Sequence, residues 1–226
     1  MMNETVKIAL DGPSGSGKST LAKMLARHYG FVYIDTGALY RTIGLFVAEK
    51  NIASDDAEGI IKCLPDIKIE MKLENGGNAI YLHGKRIGDE IRTPIISKYA
   101  SDVSKVPEVR AFLLETQRSI ARENNVIMDG RDIGTVILPD AQVKLFVFAS
   151  AEARAKRRYE ELCQKGVETT YEAVLSDMQW RDANDSGRKI APAVPAEDAV
   201  MFDNSLMNID EMVANAIQII DKVLKV

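Results

Sequence analysis

Residues Gly12, Pro13, Ser14, Gly15, Ser16, Gly17, Lys18, Ser19 and Thr20 run consecutively and satisfy the pattern G-x-x-x-x-G-K-[ST]. That spacing suits the holding of a triphosphate. Glycines without a Cβ let successive backbone N–H groups turn inward around phosphate oxygens, and a following helix adds the partial positive charge of its N-terminus. Lys18 is expected to reach the β and γ phosphates of ATP. A hydroxyl, from Ser19 or from Thr20, is expected to meet Mg²⁺. The bland alternative is a glycine-rich turn with an exposed lysine. The flanks argue against it: apolar Val6–Leu10 precedes the glycines, and Leu21, Leu25 and Ala26 follow at helical spacing up to Gly30. Strand, loop and helix is the context the pattern requires.

Carboxylates and arginines supply the remaining candidate chemistry. Asp129 follows Val126, Ile127 and Met128 at the end of a predicted strand, where it either holds Mg²⁺, directly or through water, or caps the next turn. Asp35 ends the strand Phe31–Asp35 and leads into Thr36-Gly37; a capping role and a role at a site stand side by side. Arg41, six residues on, should point back toward the same cleft. Three arginine-bearing segments stand out: Tyr40-Arg41, Gly130-Arg131-Asp132-Ile133-Gly134-Thr135, and Arg181 with Asp185 and Arg188. The last three are spaced i, i+4 and i+7, so on a helix they face one way. Such a set can recognise a molecule bearing phosphate and hydroxyl groups, or it is a solvated face of ion pairs worth a few tenths of a kcal/mol each. His28 and His83 sit in no hydrolase-like motif, and Trp180 reads as a packing residue.

The elements that must position these groups alternate between strand and helix. Helical spacing through Tyr40, Ile43, Leu45, Phe46 and Val47 follows the second strand. From Cys63 the texture changes: Ile67–Leu73 alternates at period two, Gly76-Gly77 supplies a turn, and Ala79–Leu82 gives another short strand. Helical spacing returns from Ile95 to Arg122, and Val126–Asp129 and Val143–Phe148 read as buried strands. Ser150 can cap a basic helix carrying Arg154, Lys156, Arg157 and Arg158, which Gly166 can terminate. Ala199–Asp203 is a last strand, and Ile209, Met212, Val213, Ala216, Ile217, Ile220 and Leu224 form one face of a closing helix. The class is α/β: a mainly parallel sheet covered on both faces, with ligands at the carboxyl ends of its strands. At 226 residues, one core with an appendage is expected. A net charge of −4 argues against a nucleic-acid-coating protein. No apolar run approaches the ~20 residues of a membrane span. The opening Met-Met-Asn-Glu-Thr has no signal-peptide character, and two isolated cysteines, Cys63 and Cys163, support neither a disulfide framework nor a zinc site. A cytoplasmic protein is expected.

Taken together, the loop Gly12–Thr20, Asp35-Thr36-Gly37-Ala38-Leu39-Tyr40-Arg41, Asp129-Gly130-Arg131-Asp132-Ile133-Gly134-Thr135 and Arg188-Lys189-Ile190-Ala191-Pro192 resemble bacterial cytidylate kinases over nearly the whole chain. The resemblance implies a P-loop nucleoside triphosphate hydrolase-like core (1–62, 101–149 and 168–226), an antiparallel β insert serving as the NMP-binding domain (63–100) and a helical lid (150–167). It implies transfer of a phosphoryl group from ATP, with Mg²⁺, to CMP or dCMP by a monomer that engages no nucleic acid or membrane. Arg41 and Arg131 would bind the acceptor phosphate in a site shared with Thr36, Tyr40 and Gly130. Ser101, Arg110 and Asp132 would read cytosine, and Arg181 and Asp185 would contact the sugar. Arg188 and the lid arginines Arg157 and Arg158 would stabilise charge on the moving phosphoryl group beside Lys18. Two other readings keep the P-loop: a nucleotide-gated switch or ATPase with a protein partner, and a kinase for another small molecule.

Overall fold

In a computed structural model that describes residues 5–74 and 77–225, the apolar run at the start of the chain forms β1, Lys7–Asp11, whose Ile8, Ala9 and Leu10 are fully buried. The phosphate-loop candidate follows and opens directly into helix α1, Lys18–Tyr29. Gly17 stands at the helix start with φ 84°, and no side chain caps it. The first N–H groups of α1 are therefore left for a ligand. Gly30, at φ 68°, ends the helix. Strand β2, Val32–Asp35, runs straight into α2, Thr36–Glu49, and the Asp35 carboxylate caps that helix by accepting from the Ala38 N–H at 3.0 Å.

With β6 (Val126–Asp129), β7 (Val143–Phe148) and β8 (Val200–Asp203), strands β1 and β2 make a five-stranded parallel sheet in the order β2-β6-β1-β7-β8. Register sets Asp35 and Leu10 opposite Asp129. Because parallel strands end on the same side, Asp11, Asp129 and Asp35 gather at one carboxyl edge. One face of the sheet packs on α1 and on α8, Ile209–Leu224, through Leu21, Leu25, Met212, Ala216 and Ile220. The opposite face packs under α5, Pro107–Glu123, and a single π-turn, Ile133–Ile137. Ile209 departs from the expected packed face, being 55% exposed. It belongs to the first turn, where the chain has only just left its Asn208–Glu211 capping box.

Between α2 and α5 lie α3 (Ala57–Cys63), β3 (Ile69–Glu74), β4 (Gly77–Leu82), β5 (Lys85–Arg86) and α4 (Pro94–Val103). Strands β3, β4 and β5 form the antiparallel sheet that period-two alternation announces, with Met71 opposite Ile80 and Ile69 opposite Leu82. The expected Gly76-Gly77 turn falls partly on residue 76, outside the described residues, as do positions 1–4 of the opening segment. β5 and α3 carry too little apolar pattern to be read from sequence. The continuous helical stretch expected from Ile95 to Arg122 is two helices, since Pro107 starts the second and disfavours helix in the residue before it. A separate core, including Leu39, Ile43, Ile80, Leu82 and Ile96, unites α2, α4 and the small sheet.

After β7, helix α6 (Ala151–Gln164) is capped by Ser150, which accepts from the Ala153 N–H at 3.1 Å, and Gly166 follows its end at φ 69°. Helix α7, Tyr171–Ser186, packs against it through Ala155, Val174 and Met178. No helix among the described residues is long and apolar enough to cross a membrane.

Candidate active site

The phosphate loop lies between two clefts. One is lined by groups from β2, α2, α4, α5, β6 and α7; the other by α6 and the β8–α8 connection; Gly15, Lys18 and Ser19 border both. A molecule in either cleft therefore meets the other at Lys18 and Ser19. Burial, and next the nearby Arg131, hold the Lys18 amine below its ordinary pKa, while its Nζ donates to the Pro13 carbonyl at 2.8 Å. Ser19 Oγ donates to Asp129 Oδ2 at 2.5 Å, and Thr20 borders only the second cleft. Of the two hydroxyls, Ser19 is thus the one beside the buried carboxylate. Gly12, with φ 146°, passes so close to β7 that an added Cβ would lie 1.9 Å from the Val147 carbonyl oxygen. Ser16 is buried with its hydroxyl unpartnered.

Asp129 is 3% exposed and also accepts from the Tyr33 hydroxyl at 2.9 Å. Burial, and then the Asp35 charge, push its pKa up. Two adjacent hard oxygens, Ser19 Oγ and Asp129 Oδ2, beside a loop with unspent N–H groups fit a magnesium ion that takes its other ligands from phosphate and water. No group of three or more histidine, cysteine or acidic side chains able to hold a metal occurs among the described residues.

In the first cleft, Asp35 takes Arg41 Nη2 at 3.1 Å and also faces Arg92 at 3.6 Å. Arg41 does point back to the strand end, and its buried Nε has no partner. Thr36 Oγ1 donates to the Asp129 carbonyl at 2.8 Å, tying α2 to β6 beside Gly130. Asp132, 3% exposed, is paired with Arg110, whose guanidinium also lies 5.5 Å from the Tyr40 ring centroid and donates to the Ser104 carbonyl at 3.3 Å. Burial raises the Asp132 pKa against the opposing pull of Arg110. Ser101 borders the same pocket with its Oγ buried and unpartnered. Arg131 donates to Asp185 at 2.8 Å, and Arg188 pairs with the other oxygen of that carboxylate. Burial alone would raise the Asp185 pKa, but Arg131 and Arg188 outweigh it and hold it low.

Sequence spacing places Arg181, Asp185 and Arg188 on one helical face; the structure ends α7 at Ser186 and carries Arg188 beyond it. All three still border the first cleft, because the Asp185–Arg188 pair folds the chain back, and Arg181 is steadied by Asp177 at 3.2 Å. Arg157 and Arg158 border the second cleft instead. Arg157 donates to the Asn204 carbonyl at 2.7 Å and Arg158 to Glu161 at 2.8 Å. Trp180 is not the packing residue its type suggests, being 48% exposed on α7. His28 and His83 are exposed, with their rings beside those of Tyr29 and Phe46.

Sequence reasoning passes over several residues of the site. Asp11, 4% exposed, accepts from the Ile133 and Gly134 N–H groups, each at 2.8 Å, and so anchors the π-turn next to Asp132. Its place at the end of an apolar strand, like that of Asp129, is a signal that could have found it. Tyr33 reads only as a strand residue, Arg154 only as one charge of a basic helix, and Asn204, which donates to the Ser16 carbonyl at 2.7 Å, carries no local signal.

Comparison with known proteins agrees with this geometry. A family model described as cytidylate kinase matches residues 8–222. A cytidylate kinase of Caldanaerobacter subterraneus subsp. tengcongensis is 50% identical over 222 residues, covering 98% of this chain and 97% of that protein. One from Caldicellulosiruptor saccharolyticus is 46% identical over 219 residues, covering 97% of each. Among solved structures, an uncharacterised protein of Eubacterium ventriosum shares the fold, with a TM-score of 0.52 at 15% identity over 96% of this chain and 99% of that one. The P-loop core, the antiparallel insert and a match to these relatives that runs over nearly the whole chain converge: the chain belongs to the cytidylate kinase family.

Proposed function

We propose that this kinase transfers the γ-phosphoryl group of ATP to CMP or dCMP, giving ADP and CDP or dCDP, in the pyrimidine nucleotide metabolism of the cytoplasm and as a monomer. The observation that carries the reading is the buried Arg110–Asp132 pair lining the first cleft together with the unpartnered Ser101 hydroxyl. Cytosine presents two acceptors, O2 and N3, and one donor, the N4 amine. Arg110 and Ser101 supply donors, and Asp132 accepts from the amine. Uracil has a carbonyl in place of that amine, so Asp132 would be left buried against an acceptor.

On this reading ATP phosphates occupy the backbone cradle Gly12–Thr20, and its base enters the second cleft. Arg41 and Arg131 bind the acceptor phosphate, with Thr36, Tyr40 and Gly130 shaping the pocket. Arg181 and Asp185 hold the sugar. Lys18, Arg188, Arg157 and Arg158 offset the charge that develops as the phosphoryl group passes between the clefts, so catalysis is positioning and charge stabilisation without a covalent enzyme intermediate. Ser19 and Asp129 would hold Mg²⁺, which supplies charge neutralisation on the phosphates when bound. The insert 63–100 serves as the NMP-binding domain between the core segments 1–62, 101–149 and 168–226. The helical segment 150–167 acts as the lid that excludes water.

The test is Mg²⁺-dependent ADP formation from ATP with CMP, dCMP, UMP, AMP, GMP or no acceptor in separate reactions. Strong stimulation by CMP or dCMP over the others is the expected result. Equal turnover without acceptor would replace the assignment with an ATPase, and stimulation by a different nucleotide would move the base specificity elsewhere.

A further inference from the structure

Helix α7 carries Met178, Arg181, Asp182 and Asp185, spaced i, i+3, i+4 and i+7 and therefore on one face. Two of them belong to the phosphate loop's surroundings. Met178, 5% exposed, covers Gly15, where an added Cβ would lie 2.9 Å from Met178 Cε. Asp182 grips Arg154, with Oδ2 2.5 Å from Nη2 and Oδ1 3.2 Å from Nη1. The same guanidinium, 4% exposed, donates to the Ser14 carbonyl at 2.9 Å and to the Ala149 carbonyl at 2.9 Å. One buried cation thus ties the phosphate loop, the end of β7 and α7 together. The other two residues, Arg181 and Asp185, border the first cleft, where Asp185 receives Arg131.

Phosphate-loop position and the aim of Arg181 and Asp185 are consequently one mechanical variable. A triphosphate bound by the loop's N–H groups fixes the peptide whose carbonyl, at Ser14, holds Arg154. Arg154 then fixes Asp182 and with it the helix that reaches the acceptor. A ligand entering the first cleft afterwards has less left to order, which is positive cooperativity. Linkage makes the effect reciprocal. We propose that the Arg154–Asp182 pair is the positioning link that couples occupancy of the donor and acceptor sites; this rests on the reading above that α7 contacts the acceptor nucleotide. Asp182 borders neither cleft; Arg154 lines the second, but its Nε, Nη1 and Nη2 are all engaged by Ala149, Ser14 and Asp182, so the pair acts through its neighbours.

The experiment measures the Kd of CMP by calorimetry on the full chain, alone and with a saturating non-hydrolysable ATP analogue. Wild type, Asp182→Asn, Arg154→Lys and the double variant are compared, with thermal melts confirming that each is folded. Asparagine keeps the shape of Asp182 but loses its charge, and lysine keeps the charge of Arg154 but cannot form its bidentate fork. In wild type the analogue should tighten CMP binding by about fivefold or more. In both single variants that ratio should fall to within about twofold of unity while the Kd for CMP alone changes much less, and the double variant should lose no more than either single. A merely structural pair would weaken CMP binding alone and leave the ratio intact. A wild-type ratio of unity, or variants that keep the wild-type ratio, would overturn the coupling with the kinase reading still standing; failure of CMP to bind wild type at all would overturn both.

Discussion

Lys18 is held in a place that disfavours its charge: it is 5% exposed, has Arg131 nearby, and leans on a loop carbonyl. Folding therefore gains little from the ammonium, whereas a triphosphate gains a great deal. Lys18→Ala is expected to lower kcat by about 10²-fold or more, the scale of losing one preorganised donor to developing charge, while the urea midpoint stays near wild type; near-normal turnover in that variant would contradict the site. Asp132→Ala should lower the ratio of kcat/KM for CMP over UMP by at least about tenfold, measured by competition between the two acceptors. Asp11 gives a pH signature of a different kind. Burial, against the pull of two backbone N–H groups, pushes its pKa up to about 6 from 3.8. A carboxyl whose folded pKa lies above its unfolded value favours folding fully below the unfolded value, and that stability is lost as pH rises through about 4 to 6. Linkage limits the loss to about 3 kcal/mol. Denaturant midpoints at pH 4.5 and 7 should therefore show wild type losing stability relative to Asp11→Asn as the pH rises. A difference between the two proteins that does not change with pH would refute the role given to burial.

Elements were legible in the sequence where a local rule decides them. Apolar β1, the glycine loop and the Leu21–Leu25–Ala26 stripe were readable because strand burial, phosphate cradling and helix periodicity are each written within ten residues. The Ser150 cap and the closing helix were readable for the same reason. The break at Pro107 was legible in principle, yet the apolar spacing on either side concealed it. What stayed hidden depends on contacts across the chain: Tyr33 reaching Asp129, Asn204 reaching Ser16, and Arg154 joining Ser14 to Asp182. Trp180 misleads because its type predicts packing while α7 turns it outward. The loop runs hard against β7: a Cβ at Gly12 would stand 1.9 Å from a backbone oxygen that no rotamer can move, at a φ of 146° that side chains avoid. Gly12→Ala is thus expected to cost about 1–3 kcal/mol in backbone strain before any clash is counted, and to abolish binding of the ATP analogue by displacing the loop. A variant that binds the analogue with wild-type affinity would show that the loop tolerates a different path.

At the scale of the molecule, the two clefts meet at one sheet edge, while two of the larger cores lie on opposite faces of the sheet. The insert has its own core on α2 and α4, and the α6–α7 hairpin has a small one of three buried residues, so neither is stabilised chiefly by the sheet. Ligands that bridge these parts should then stabilise the fold as a whole. A ligand that binds only the native state adds RT ln(1 + [L]/Kd), which is about 2.7 kcal/mol at a hundredfold excess over Kd. For a chain of 226 residues each kcal/mol corresponds to roughly 2–4 °C. Saturating CMP is accordingly expected to raise Tm by about 5 to 11 °C in a thermal melt, with UMP at the same concentration giving a clearly smaller shift because Asp132 is left without its donor. CMP and the ATP analogue together should exceed the sum of their separate shifts, since the loop ordered by one supports the helix used by the other. Equal shifts from CMP and UMP would place base recognition outside the Ser101–Arg110–Asp132 corner, and strictly additive shifts would mean that the two clefts, though they share Lys18 and Ser19, fill independently.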